Sequence, residues 1–191
     1  MNQIAEAVIS LLEKRGVIRE ESRAVYVYGL SQMIYTFLST LGLLLIGLAA
    51  GRPAETALLI ALFYTNQTYG GGYHANSHTR CFLTMTAGLL VFLVSFSLPY
   101  SLPGCVALAG AGLALLYLRP LTLHPNKLYL AKKSRQFIRR SRKAVLLQAL
   151  FFVLALLTGY APLIRTLAMA LFLCACSRMT AILIRQGQSF P

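Results

Sequence analysis

Six apolar runs in series, each closed by glycine, proline or charge, leave this chain few folds to choose from. They cover roughly residues 25–50, 54–69, 82–100, 103–119, 144–161 and 163–184. A helix needs about 20 mostly apolar residues, with a range of about 17–25, to cross a bilayer. The second run is short by that measure and ends at Gly70-Gly71-Gly72, so its span either continues through the glycines or stops at the interface. Pro53, Pro103, Pro120 and Pro162 stand at run ends, where proline starts or stops a helix at little cost. Only 12% of the chain is charged, against about a quarter in a soluble domain. With 57% hydrophobic residues it is too apolar for disorder and too apolar for a nucleic-acid binder, basic though it is. The expected fold is an all-α membrane protein of about six transmembrane helices, forming a single domain over residues 1–191.

An N-terminal segment, 1–20, precedes the runs. Ile4, Val8, Leu11 and Leu12 recur at helical spacing and predict an amphipathic helix over 3–14, closed by Gly16. Such a helix packs on the protein or lies in the membrane interface. No short apolar stretch before residue 32 ends in a small-residue cleavage site, so a removable leader is not expected.

Charge orients the spans. Eighteen Lys and Arg face five acidic residues, a net charge of +13. With a cytoplasmic N-terminus and six spans, sixteen of the eighteen basic residues fall inside, Arg178 and Arg185 among them, and only Arg52 and Arg165 fall outside. The positive-inside rule favours that arrangement, with both termini cytoplasmic in a cell membrane. The densest cluster is the segment 119–143, expected as a basic cytoplasmic loop. It includes Lys127, Lys132, Lys133, Arg135, Arg139 and Arg140, a surface that attracts anionic lipid. In the fourth run, Ala107, Gly110, Ala111, Gly112 and Ala114 form a small-residue pattern that allows close helix packing, within the chain or in a homodimer.

The polar island 66–81 carries the chemistry. It reads Asn-Gln-Thr-Tyr-Gly-Gly-Gly-Tyr-His-Ala-Asn-Ser-His-Thr-Arg-Cys and holds two of the three histidines. Polar residues at membrane depth are expensive and usually functional. Three readings compete: a polar loop with a glycine hinge, a metal site on His74, His78 and Cys81, and a cysteine nucleophile with a histidine base. No Asp occurs in the chain and no Glu lies near the island, which removes the carboxylate a hydrolytic zinc site usually uses. A thiolate attacks carbonyls, a neighbouring imidazole generates it, and Arg80 adds positive potential. Asn76, Ser77 or Gln67 could orient the imidazole, and amides near Gly70–Gly72 could form an oxyanion hole. On one straight helix His74 and Cys81 would stand about 10.5 Å apart along the axis. Pairing them therefore needs a bend between Asn76 and Arg80, or a second subunit; His78 is nearer in sequence, and the residues alone do not choose between the two histidines. Cys105, Cys174 and Cys176 lie in apolar surroundings and read as packing residues.

The stretch Gly71-Gly72-Tyr73-His74-Ala75, with Cys81 seven residues after the histidine, resembles the accessory gene regulator protein B (AgrB) family. The likeness extends to size, N-terminal helix, span number and a basic segment containing Pro125-Asn126-Lys127. It implies a membrane cysteine endopeptidase of quorum sensing. Such an enzyme removes the acidic C-terminal tail of a small peptide precursor and helps close a thiolactone or lactone ring. It further implies His74 as base, Cys81 as nucleophile, a structurally required Gly72, and no cofactor. Gln67 departs from the pattern, which often places an arginine seven residues before the histidine. The rival expectation is a non-enzymatic transporter or peptide exporter subunit, which would tolerate loss of Cys81.

Overall fold

The structure, a computed structural model, describes residues 2–73, 75, 77–123, 134–184 and 188–190. Seven α-helices dominate: α1 (Asn2–Lys14), α2 (Arg23–Ala49), α3 (Pro53–Gly70), α4 (His78–Ser95), α5 (Leu102–Leu118), α6 (Ser134–Thr158) and α7 (Ala161–Leu183). A 3-10 turn, Glu20–Ser22, precedes α2. Two short strands, β1 (Leu121–Leu123) and β2 (Gln188–Phe190), pair antiparallel with Leu121 opposite Phe190 and Leu123 opposite Gln188. Four segments are long and apolar enough to cross a membrane: Glu20–Ala49, α4, α6 and α7. Helix α5 is apolar but has 17 residues.

The helix ends follow from local chemistry. Ser77 and Ser101 cap α4 and α5 by accepting from the amides of Arg80 and Gly104. Proline occupies the first turn of α3, α5 and α7, where no amide is needed. Gly16, at φ 71°, follows α1.

The chain divides into two compact units, Met1–Leu45 and Ile46–Pro191. In the first, the Arg23 guanidinium joins the start of α2 to α1 through Glu13 at 3.5 Å and Ser10 at 3.1 Å. Helix α1 forms where the sequence predicts it, but Ala5 and Ile9 are its buried positions while Ile4, Val8 and Leu11 are exposed.

In the second unit α7 is the central element. Ile164, Leu167, Ala168, Leu171, Cys174 and Ala175 are all buried. Its seam with α5 runs along Cys105, Ala109, Gly112 and Leu116, one residue per turn. A Cβ on Gly112 would press on the backbone of Leu171 at 2.8 Å and Phe172 at 2.9 Å, so the two helix backbones touch there. Of the small residues expected to pack, Ala107, Gly110, Ala111 and Ala114 face outward instead. The apolar residues that cover the outer helix faces, such as Leu90, Val91, Leu147 and Leu154, are exposed, as lipid-facing side chains are.

Helices α3, α5 and α7 run in the same direction, and contacts at both ends fix this. At one end the Arg165 guanidinium donates to the Ser95 carbonyl at 3.1 Å and lies 5.6 Å from the Phe96 ring, while Arg52 stacks on the same ring at 4.0 Å. At the other end Arg178 reaches the last turns of α5 and α3. The connection expected as a basic loop over 119–143 is corrected in its second half. It is helical from Ser134, because Arg, Lys and Gln are good helix formers even without an apolar stripe.

Candidate functional site

The island is a corner between α3 and α4, wedged against α7 and β1. Helix α3 ends at Gly70, and Gly71 leaves it at φ 71° and ψ −177°, a conformation open to glycine almost alone. Its amide donates to the Gln67 carbonyl at 3.1 Å. Backbone or side-chain groups approach each of the three glycines closely. A Cβ on Gly70 would land on the Arg178 guanidinium, and one on Gly71 on the Thr122 carbonyl oxygen. One on Gly72 would meet the Gln67 amide group at 2.6 Å. The glycine run is therefore a packed corner rather than a hinge. Of the amides considered for an oxyanion hole, that of Gly71 is already committed.

Beyond the glycines the chain is pinned to α7. The Tyr73 amide donates to the Ser177 carbonyl at 3.2 Å and to its hydroxyl at 3.3 Å. Gln67 donates to the same hydroxyl at 3.2 Å. One serine thus holds both the end of α3 and the extended strand that follows it. His74 and Asn76 lie outside the described residues. Ser77 is spent on capping α4, with its hydroxyl 3.3 Å from the Arg80 amide.

Cys81 stands in the first turn of α4, partly exposed and not in a disulfide. The backbone amide of Ala75 hydrogen-bonds its sulfur. Gly71, Gly72, Tyr73, Ala75 and Ser77 are not helical, so α3 and α4 do not form one straight helix through the island.

Beneath the corner lies a residue whose role the sequence did not show. Arg178 counted as one of the inside charges, yet it is 1% exposed. Its guanidinium donates to the carbonyls of Leu116 at 3.0 Å, Arg119 at 3.1 Å and Asn66 at 3.3 Å. The residue four after Leu116 is Pro120, which has no amide, so the Leu116 carbonyl lacks its helical donor and Arg178 supplies one. The carbonyl ends of α3 and α5 carry the negative pole of their dipoles, which compensates a cation with no carboxylate beside it. Asn66 extends the network by donating to Gln148 of α6 at 3.1 Å. Only Pro120, by removing a donor, hinted at this arrangement in the sequence.

Of the basic residues expected to meet substrate, Arg135, Arg139 and Arg140 are exposed on the first turns of α6. That end of α6 is near the end of α5, since Arg142 stacks on Tyr117 at 5.3 Å. Lys127, Lys132 and Lys133, with Pro125 and Asn126, lie outside the described residues. Among the described residues no group of three His, Cys, Asp or Glu side chains could hold a metal ion.

Several helices long enough to cross a bilayer, and a polar corner that presents a thiol at one end of them, define a helical membrane protein with a candidate site at the helix ends. The chain matches the model of the family described as accessory gene regulator B over residues 5–184, essentially its whole length, and it belongs to that family. Membership ties it to the processing of agr quorum-sensing peptides. No curated protein and no solved structure matches the chain.

Proposed function

We propose that the chain is a membrane-embedded cysteine endopeptidase that removes the acidic C-terminal tail of a small peptide precursor and leaves the remainder activated for ring closure. The observation that carries this reading is the Cys81 sulfur, partly exposed in the first turn of a helix and hydrogen-bonded by the Ala75 amide. A partly buried thiol needs a base, and His74, the residue before Ala75, is the one assigned. Burial works against a charged sulfur, and the Ala75 amide and the helix N-terminus offset part of that cost.

The chemistry runs in two steps. His74 takes the Cys81 proton, the sulfur bonds to the carbonyl carbon ahead of the tail, and the C–N bond breaks as the proton passes to the leaving amine. A thiol or hydroxyl within the bound peptide then attacks the thioester, its proton returning to the Cys81 sulfur as the ring closes. A site at the membrane boundary limits competing attack by water. Gln67 and Gly72 act as positioning residues through Ser177, with Asn76 and the α4 cap Ser77 assigned to ordering the corner.

In this reading α2 to α7 are six spans, the termini are cytoplasmic, and the site lies near the cytoplasmic face. Arg135, Arg139 and Arg140, with Lys127, Lys132 and Lys133, draw in the acidic tail and bind anionic lipid. The outward face Ala107-Gly110-Ala111-Ala114 of α5 is where a second copy would pack in a homodimer.

Co-expression with a small peptide encoded beside the chain, read by mass spectrometry, tests the proposal. The intact chain should release the tail and Cys81→Ala should not. No release by the intact chain, or release that survives Cys81→Ala, overturns the peptidase and leaves the transporter reading.

A further inference from the structure

We propose that β1 is a docking strand for an extended, acidic peptide, and that Gln188–Phe190 holds this edge as the chain's own placeholder until the peptide arrives. The inference deepens the peptidase reading and rests on it for the identity of the peptide.

A strand edge offers a row of amides and carbonyls to any extended chain, which makes it a common recognition surface for peptides. Strand β1 is well fixed as such a template. Leu121 and Thr122 are buried, so their side chains anchor in the protein, and the main chain of Leu121–Leu123 does the pairing. The present partner is weakly held. Among the described residues three residue pairs make up the sheet, and a two-stranded pairing is at best marginally stable in isolation. The segment can therefore be exchanged.

Position connects the strand to the thiol. The Thr122 carbonyl abuts Gly71, as the collision of an added Cβ there demonstrates. From Gly71 to Ala75 is four residues, which span at most about 14 Å, and the Ala75 amide touches the Cys81 sulfur. An extended peptide lying on β1 thus reaches the thiol within about six residues of its own length.

Charge selects the newcomer over the placeholder. Gln188, Ser189 and Phe190 are neutral, whereas Arg119 precedes β1 and Arg135, Arg139 and Arg140 are exposed at the start of α6. An acidic peptide gains an attraction that the chain's own segment does not.

Two measurements test the proposal. The first uses the full chain carrying Cys81→Ala in nanodiscs, with residues 188–191 deleted. Its probe is a synthetic peptide of the sequence Gln-Ser-Phe followed by a run of glutamates. The deletion should expose the amides of Leu121 and Leu123, which face β2, to hydrogen exchange. The probe should restore their protection, and a glutamine-tailed version should do so less well. Amides that stay unprotected at saturating probe, or that stay protected after the deletion alone, overturn the docking strand.

The second measures tail release by chains with intact Cys81. Removing a placeholder that occupies the edge most of the time should lower KM by about three- to tenfold with kcat unchanged. An unchanged KM also overturns the proposal. Protection by the probe with no tail release from the intact chain would sink the peptidase and spare the docking strand.

Discussion

Replacing Arg178 by Met separates two opposing costs at the centre of the bundle. Burying a guanidinium is expensive, by several kcal/mol per ion even after relaxation, and Met removes that penalty while filling much of the volume. The acceptors remain, however. The carbonyls of Leu116, Arg119 and Asn66 all lose a donor, and the Leu116 oxygen has no helical donor to fall back on because Pro120 stands four residues on. An unsatisfied buried acceptor costs about 1–3 kcal/mol. The orphaned Leu116 oxygen and the charge-assisted bonds lost at the other two carbonyls outweigh the relief, leaving a net loss of about 2–4 kcal/mol. In a chain of 191 residues each kcal/mol moves Tm by about 2–4 °C, so thermal unfolding in nanodiscs should shift down by roughly 4–16 °C. Arg178→Lys keeps the charge but lacks the planar fork that reaches several carbonyls at once, and should recover about half of the loss. A Met variant as stable as the parent, or more so, would refute the claim that these carbonyls depend on the guanidinium.

Three other perturbations probe the corner and its surroundings. Gly71→Ala and Gly159→Ala both force alanine into positive φ, but only Gly71 also meets a backbone oxygen. By Tm, the Gly159 variant should lose about 1 kcal/mol and the Gly71 variant clearly more. Ser177→Ala removes the shared partner of Gln67 and Tyr73; stability should fall by only about 1 kcal/mol while tail release drops severalfold, so equal losses in both would argue against a positioning role. Converting Arg135, Arg139 and Arg140 together to Gln should raise KM for an acidic precursor at low salt, and the difference should shrink as salt screens the charges. A KM difference that is independent of salt would remove the recruiting role.

The sequence was most legible where local physics decides. Apolar run length predicted every long helix to within a few residues, except that α6 begins near residue 134 rather than 144, and α4 near 78 rather than 82. In both cases polar residues form the first turns, and a search for apolar stretches passes over them. The separation of α3 from α4 was also readable, from the glycine run that closes the second apolar run. What escaped was long-range. Arg178 read only as one of the inside charges and Ser177 carried no signal of its own, since nothing in their neighbourhood announces partners more than a hundred residues away at Asn66 and Tyr73. The glycines looked flexible because the groups that confine them, Thr122, Gln67 and Arg178, are brought there only by the fold. The pairing of β1 with β2 joins segments too short to carry a strand pattern.

The two arginines stacked on Phe96 fasten three connecting turns at the end of the bundle away from the thiol. From Arg165 to Ser177 along α7 is twelve residues, a lever arm of about 18 Å. A tilt of about 5° at the fastened end would carry Ser177 through about 1.6 Å, enough to break the bonds it makes to Gln67 and Tyr73. The alignment of the thiol is in this sense set from the far end of the bundle. Loosening the ring at Phe96 would detune the corner without touching any residue in it.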